Sequence, residues 1–259
     1  MSKVSGVLTG EPRVGGILDK MAPWAALVGG ILAVVSFVLA FTVAGVVIGP
    51  SVSNGGVEVI GGVAVSNLLL FSQKIFYFHM PVAVVSFIAL IFTGYYSIMY
   101  LITSRAAFDI RAKVATEIAL VFVLCTMVTG VMWTKSDWGV WWRWEPRLTS
   151  YFILMLMVMG YFILRNALVD PEKRGRFSAV LGILMLVNVP ICYFITRLIP
   201  TSIHPIVFRT DSGMSPDMLA PLLIGLFAMC LVGFALYRLR LRVALMEEKI
   251  ALVQEKVEA

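Results

Sequence analysis

The chain has 259 residues, of which 60% are hydrophobic and only 14% are charged, and its formal net charge is +6. So few charges do not cover the surface of a soluble protein, and this composition predicts a membrane protein. The basic excess is then typical of membrane-protein loops rather than of a nucleic-acid-binding surface. The 3 cysteines lie in separate apolar runs without a C-x-x-C pair, which predicts buried thiols and no disulfide framework.

Six apolar runs, each near the length that crosses a hydrocarbon core, predict six transmembrane helices. In chain order we expect them at residues 24–48, 81–102, 114–133, 148–168, 177–195 and 218–237. The first run follows a polar and basic lead and is too long for the core of a cleavable signal peptide, so a retained span is expected. Pro81 suits the first turn of the second helix, which would leave His79 just outside the helix start.

Lysine and arginine residues divide unequally between the two sides of these spans. Most of the 21 lie at the two ends of the chain and in the loops that follow the second and fourth helices. The positive-inside rule therefore predicts that both termini are cytoplasmic. The predicted organisation is a cytoplasmic segment at residues 1–22, a six-helix transmembrane domain at 23–238 and a cytoplasmic helix at 239–259.

Two segments outside the spans have a recognisable pattern. Residues 51–75 are predicted to form an outer loop whose apolar end, residues 68–71, lies on the membrane surface. In the C-terminal segment, apolar residues recur at alternating spacings of three and four, as in a short heptad seam: Val243, Met246, Ile250, Val253 and Val257. This pattern fits either a helix resting on a partner subunit or a solvated tail.

The outer loop between the third and fourth helices has an unusual composition, WGVWWRWEPRLT at residues 138–149. All 6 tryptophans except Trp24 lie between residues 133 and 144, whereas an interfacial belt would spread them over both membrane faces. The cluster favours a surface for a flat, apolar ligand. If the loop is helical, one face carries Trp138, Trp141, Trp142 and Glu145. If it is extended, Trp142 and Trp144 share a side.

The charged and imidazole side chains of the outer face suggest what such a ligand carries. Arg143 and Arg147 are suited to binding the acidic arms of a ligand, although lipid phosphate is an alternative partner. The only 2 histidines, His79 and His204, fall on the same outer face. Two histidines are too few for a zinc site but suffice for both axial positions of one haem. The helix centres lack the charges that mark a proton-coupled transport route.

Residues 138–149 resemble the tryptophan-rich (WWD) signature of the haem-handling membrane proteins of cytochrome c maturation. Within them, the helix number and chain length are similar to those of the haem exporter protein C (CcmC) family. Residues 77–81 are similar to this family's histidine segment before helix two, and residues 188–191 with His204 to its helix-five segment and second histidine. Glu145 stands where the family usually has aspartate, with Pro146 after it, and Pro205 follows His204 in a less common form.

The resemblance implies that haem b, bound non-covalently and in transit, is held on the periplasmic face of a bacterial inner membrane. It implies that His79 and His204 are the axial ligands of the iron and that the tryptophan loop packs against the ring. Together with the residues chosen on chemical grounds, the expected haem-binding set is His79, His204, Trp138, Trp141, Trp142, Arg143, Trp144, Glu145 and Arg147.

The resemblance also implies partners. They are a membrane-anchored haem chaperone (CcmE-like), two ABC transporter subunits (CcmA- and CcmB-like), a small single-span subunit (CcmD-like) and the lipid bilayer, with no nucleic acid. The chain would act as a holder that orients haem for a partner rather than as a conventional enzyme. Two alternatives stay open: a bis-histidine b-type cytochrome in electron transfer, and a membrane subunit of a transporter complex.

Overall fold

The computed structural model describes residues 16–45, 57–60, 63–199 and 216–258. Within these residues the chain forms six helices that are long and apolar enough to cross a membrane, which confirms the all-α prediction. They are α1 (Ile17–Thr42), α2 (Asn67–Thr103), α3 (Ala106–Trp138), α4 (Pro146–Ala167), α5 (Pro171–Leu198) and α6 (Pro216–Glu258). His204 lies outside the described residues.

The segment predicted as an outer loop contains regular structure. Strands β1 (Val57–Ile60) and β2 (Val63–Ser66) form an antiparallel hairpin with Val57 opposite Ser66. α2 then begins at Asn67, so residues 68–71 belong to a helix and not to the end of a loop. Both strands are rich in β-branched residues, with valine at alternate positions of each, and this composition favours strands.

The prediction that α2 begins at Pro81 is wrong. Pro81 lies inside the helix, and His79 is a helical residue. Proline removes one backbone hydrogen bond, here to the carbonyl of Tyr77, but transmembrane helices tolerate this loss where a neighbouring helix packs closely. That carbonyl faces Gly225 of α6, and a Cβ atom added to Gly225 would lie 3.4 Å from the carbonyl oxygen. His79 is therefore held by a rigid helix and not by a loop.

α6 is one continuous helix that extends well beyond the predicted sixth span. Its first part is apolar, and residues 239–258 continue it without a break. Leu241 and Ala244 pack against Val114 at the start of α3, whereas the heptad positions are exposed, with Ile250 at 59% and Val253 at 60%. The first part of this extension therefore packs on α3 through a face that does not include the heptad positions.

Polar contacts join neighbouring helices at both ends of the bundle. At one end, three ion pairs connect the starts of α1 and α3 to α4 and α6: Asp19–Arg238, Asp109–Arg165 and Glu117–Arg240. At the other end, the Lys74 ammonium donates to the carbonyls of Ala40 and Ala44, and the Gly45 N–H donates to Asp217. A cation at the C-terminal end of a helix interacts favourably with the helix dipole, so Lys74 stabilises the end of α1.

The core lies between α2, α3, α4 and α5, and α2 is central to it. Fully buried Leu90, Val123, Leu154 and Met185 form the apolar cluster of these four helices. α2 and α5 approach so closely at Gly94 that a Cβ atom there would lie 2.5 Å from the Cβ of Leu186. Because a Cβ atom is fixed to its backbone, only a shift of a whole helix could relieve that contact.

We expect Gly94→Ala to destabilise the protein, since overpacking of this kind typically costs about 1–3 kcal/mol. In a chain of this size that corresponds to a fall in melting temperature of roughly 2–10 °C, measured by thermal unfolding in detergent. Gly160→Ala in α4 is the matched control, because a Cβ atom there meets nothing within 4 Å. A Gly94→Ala protein that melts at or above the wild-type temperature would contradict this account of the α2–α5 contact.

Candidate functional site

A large apolar cavity of about 840 Å³ lies between α2, α3, α4 and α5. It occupies the end of the bundle where α3 and α5 finish and α2 and α4 begin. Its walls are mainly aliphatic and aromatic and include Phe76, Phe87, Met127, Leu148, Val189 and Phe194. Cavities of roughly 300–1,000 Å³ with few polar groups are typical of sites for small molecules and cofactors. The polar groups that do line it are therefore informative.

His79 lies in this cavity wall, as a residue of α2. Its Nδ1 atom is 2.9 Å from the hydroxyl oxygen of Thr129 on α3, and Gly130 of the same helix lines the cavity beside it. The imidazole is thus presented to an apolar space and fixed from the neighbouring helix. Neutral imidazole in such a position is suited to binding a metal ion carried by a ligand.

The tryptophan-rich segment begins as a helix, bends at residues 139–141 and is extended where it ends at Glu145, so the helical alternative for residues 138–145 is wrong. α3 ends at Trp138, where Gly139 adopts a left-handed conformation (φ 75°) that favours glycine. The chain reaches Glu145 in an extended conformation, and Pro146 is the first residue of α4. Proline both starts a helix well and disfavours a helical residue before it, which explains the break.

The extended segment brings Trp142 and Trp144 together on one side, as the second alternative predicted. Their ring centroids are 5.5 Å apart in an edge-to-face arrangement, and Trp142 also packs on Phe152 of α4 at 5.5 Å. Trp142 lines the cavity, whereas Trp144 is 72% exposed. Within the described part of the chain, the buried indole N–H of Trp142 has no hydrogen-bond acceptor. This donor is available to a ligand.

The remaining tryptophans of the cluster divide between the cavity and the surface. Trp133 lines the cavity, and Trp138 packs edge-to-face on it with ring centroids 5.1 Å apart. Trp141 is 61% exposed, and the Lys135 ammonium lies 5.7 Å from its ring centre. Trp138, Trp141 and Trp144 therefore surround the site without lining the cavity itself.

Glu145 has a clear structural function. Its side chain is buried and accepts hydrogen bonds from the backbone N–H groups of Arg147 and Leu148, which caps the N-terminus of α4. A carboxylate at this position also interacts favourably with the helix dipole. The residue thus fixes the junction between the extended segment and α4, and with it the position of Arg147.

Two arginines line the cavity, and only one of them was expected. Arg147, in the first turn of α4, is half-buried in its wall, whereas Arg143 is exposed and does not line it. The second arginine of the wall is Arg197, near the end of α5. Its guanidinium lies 5.1 Å from the ring centre of Tyr193, one turn earlier on the same helix. The cavity thus combines one imidazole with two guanidinium groups.

Sequence reasoning missed Arg197, Thr129 and the cavity position of Trp133. Arg197 was not among the residues expected to bind the ligand. The available signal was the i, i+4 spacing of Tyr193 and Arg197, which come after Pro190 near the end of α5. Thr129 had no signal, because its contact with His79 joins residues that are 50 positions apart in the chain.

The fold and the site define a multi-pass membrane protein with an apolar cavity at one end of its helix bundle. Comparison with known proteins supports a narrower assignment. The model of the family described as CcmC, Heme exporter protein C, matches residues 70–256. This range includes the whole cavity and excludes α1.

Several curated relatives have the name Heme exporter protein C. The protein from Bradyrhizobium diazoefficiens is 31% identical over 183 residues, which is 70% of this chain and 70% of the relative. The Escherichia coli K12 protein is 29% identical over 188 residues, or 72% of this chain and 76% of the relative. The chain belongs to the heme exporter protein C family, and the resemblance identified in its sequence is confirmed.

Proposed function

We propose that the chain binds haem in the cavity between α2 and α5 and delivers it to a membrane-anchored haem chaperone for cytochrome c maturation. One observation carries this proposal: an apolar cavity of about 840 Å³ is lined by one imidazole and two guanidinium groups. Haem is a flat apolar ring with a metal ion and two carboxylates, so these groups fit its chemistry. The name of the relatives, Heme exporter protein C, agrees with haem as the cargo.

In this proposal His79 supplies one axial ligand of the iron and His204 supplies the other. His79 already lines the cavity, where its imidazole is held by Thr129. His204 follows α5 in the chain by a short segment and is the only other histidine. Two imidazole ligands would saturate the iron, which suits a protein that carries haem rather than one that activates oxygen.

The carboxylates of haem would be bound by Arg147 and Arg197. Arginine forms paired hydrogen bonds to carboxylates and does not lose its charge. The indole N–H of Trp142 is a third donor in the same wall. The assignment of Arg143 to a carboxylate stays a prediction, and its exposed position makes it the weakest member of the expected set.

The tryptophans outside the cavity would extend the platform toward the partner. Trp141 and Trp144 are the most exposed aromatic rings of the segment, and Trp138 packs edge-to-face on Trp133 from outside the cavity. Large exposed aromatic rings that cluster on one surface are typical of sites for protein partners. The rings would thus bring the chaperone close to the edge of the bound haem, while the apolar wall excludes water from its face.

The proposed setting is a bacterial inner membrane with both termini in the cytoplasm. The end of the bundle with the interhelix ion pairs is the one near most lysines and arginines, and the cavity lies at the opposite end. The positive-inside rule then supports a cavity on the periplasmic side. The CcmA- and CcmB-like transporter subunits and the CcmD-like small subunit stay proposed partners.

Purification of the chain from haem-replete bacterial cells tests the first half of the proposal. We expect a Soret band from haem that acid acetone extracts, since the binding is non-covalent. Ala83→Trp is the matched cavity variant, because Ala83 lines the cavity on α2 one turn after His79. It should lose the band while keeping the wild-type helix content. A wild-type chain that shows no Soret band after incubation with haemin and removal of the unbound haemin would refute haem binding.

The second half of the proposal is tested by transfer. Mixing the haem-loaded chain with a purified CcmE-like chaperone should move the Soret absorbance from one protein to the other. A chain that is reduced and reoxidised reversibly but loses no haem to the chaperone would instead support a b-type cytochrome. The two outcomes separate delivery from electron transfer with the same sample.

A further inference from the structure

We propose that Thr129 and Gly130 of α3 are positioning residues that hold His79 in the Nδ1–H tautomer, which places the lone pair for iron on Nε2. This inference deepens the proposed function and rests on it only for the iron. The tautomer itself is a property of the haem-free protein. It follows from the hydrogen bond of Thr129 within α3 and from two contacts of His79 with α3.

The hydroxyl group of Thr129 forms a hydrogen bond within its own helix. Its oxygen lies 2.7 Å from the carbonyl oxygen of Cys125 and 3.2 Å from that of Thr126. Carbonyl oxygens only accept, so an oxygen–oxygen contact of 2.7 Å requires the hydroxyl hydrogen between the two atoms. The hydroxyl hydrogen of Thr129 is therefore directed at the backbone of its own helix.

The imidazole of His79 contacts the same hydroxyl group through Nδ1. His79 Nδ1 lies 2.9 Å from the same hydroxyl oxygen, whose hydrogen is engaged in the bond to the Cys125 carbonyl. The oxygen can only accept here, so Nδ1 must be the donor and carry the ring proton. In the neutral imidazole the lone pair is then on Nε2, the atom that binds a metal. Metal-binding histidines commonly donate their second N–H in this way, which fixes the tautomer and the ring orientation.

Gly130 leaves room for the imidazole ring of His79 beside α3. A Cβ atom on Gly130 would lie 3.2 Å from Cε1 of His79, closer than ordinary van der Waals contact. The imidazole therefore lies directly against the backbone of α3, and the absence of a side chain at Gly130 permits this. Thr129 fixes which nitrogen is protonated, and Gly130 fixes how closely the ring approaches α3.

Nitrogen NMR of the haem-free chain tests the tautomer directly, because a ¹⁵N-histidine label reports only 2 imidazole rings. At a pH above the ordinary histidine pKa, about 6.5, we expect the His79 ring of the wild type to be protonated at Nδ1. Thr129→Ser should keep this tautomer. Thr129→Val, which has the same shape without the hydroxyl, should shift the population toward Nε2–H. His79→Gln assigns the signals.

Haemin titration tests the consequence for the proposed function. Loss of such a supporting contact typically weakens metal binding about 10- to 100-fold, and we expect this range for Thr129→Val. The iron midpoint potential should also rise, because a ligand without its hydrogen-bond acceptor donates less charge. Thr129→Ser should behave as the wild type, and Gly130→Ala should bind haemin more weakly.

Two control variants keep the test specific to His79. Thr134→Val removes the same type of hydroxyl-to-carbonyl bond on the same helix, to Gly130, without a contact to His79. Gly160→Ala adds a methyl group in open space on α4. Both should bind haemin as the wild type does.

The possible results distinguish a failure of the tautomer inference from a failure of the proposed haem binding. A wild-type His79 found in the Nε2–H tautomer would overturn the inference whatever the haem result. An unchanged affinity and potential in Thr129→Val would also overturn it, while a loss of haem in His79→Ala would leave the proposed function in place. If His79→Ala itself leaves the haem spectrum unchanged, both the ligand assignment and this inference fail.

Discussion

Replacement of His79 by alanine is expected to remove haem from the cavity, or to leave it bound weakly with an altered spectrum. The side chain lines the cavity and is the only imidazole there among the described residues. Even supporting contacts of a metal ligand are worth about 10- to 100-fold in affinity, so loss of the ligand itself should cost more than tenfold. Haemin titration and the absorption spectrum of the purified variant measure this.

A chemical rescue distinguishes lost ligation from a damaged fold. Imidazole added to His79→Ala should enter the space left by the side chain and restore a low-spin spectrum. Ile98→Ala is the control on the same helix, because Ile98 is exposed at 37% and does not line the cavity. It should bind haemin as the wild type does. An unchanged occupancy and spectrum in His79→Ala would show that this histidine is not a ligand.

Removal of the cavity arginines is expected to abolish the preference of the protein for the carboxylates of haem. The comparison uses haemin and its dimethyl ester, which has the same ring without the two negative charges. A hydrogen bond to a charged group contributes about 1.5–3 kcal/mol, or roughly a factor of 10 to 100 in affinity. Arg147→Gln should lose about this much affinity for haemin and little for the ester.

The size of the effect should follow burial. Arg147 is half-buried, whereas Arg197 is exposed and its interaction is more strongly screened by solvent, so Arg197→Gln should have the smaller effect. Arg143→Gln is the matched control on the same extended segment. Because Arg143 is exposed and does not line the cavity, we expect little change. An unaltered preference in Arg147→Gln, with a large loss in Arg143→Gln, would show that Arg143 and not Arg147 binds the carboxylates.

The six helices were predictable because each apolar run has the length of a membrane crossing. Their ends were less predictable, and the errors have a common cause. Hydropathy ends where polar residues begin, but the helices continue through polar residues that pair with other helices, such as Asp109 in α3 and Arg240 in α6. At α2, a proline that suits a helix start lies inside a helix, because packing by α6 supports the interrupted backbone.

The site was predictable in its chemistry and only partly in its geometry. The tryptophan cluster and His79 indicated a flat ligand with a metal, and both contribute to the cavity wall. Which tryptophans line that wall depends on two backbone features, the left-handed Gly139 and the Glu145 cap of α4. Arg197 joins the wall because α5 packs against α2 and α4, a tertiary arrangement that the spacing of Tyr193 and Arg197 does not predict.

The most direct test of the account is an experimental structure of the chain purified with haem bound. We expect the porphyrin between α2, α3, α4 and α5, with the iron bonded to Nε2 of His79 and the two carboxylates at Arg147 and Arg197. A porphyrin bound outside the bundle, on the exposed rings of Trp141 and Trp144 and away from His79, would contradict the account.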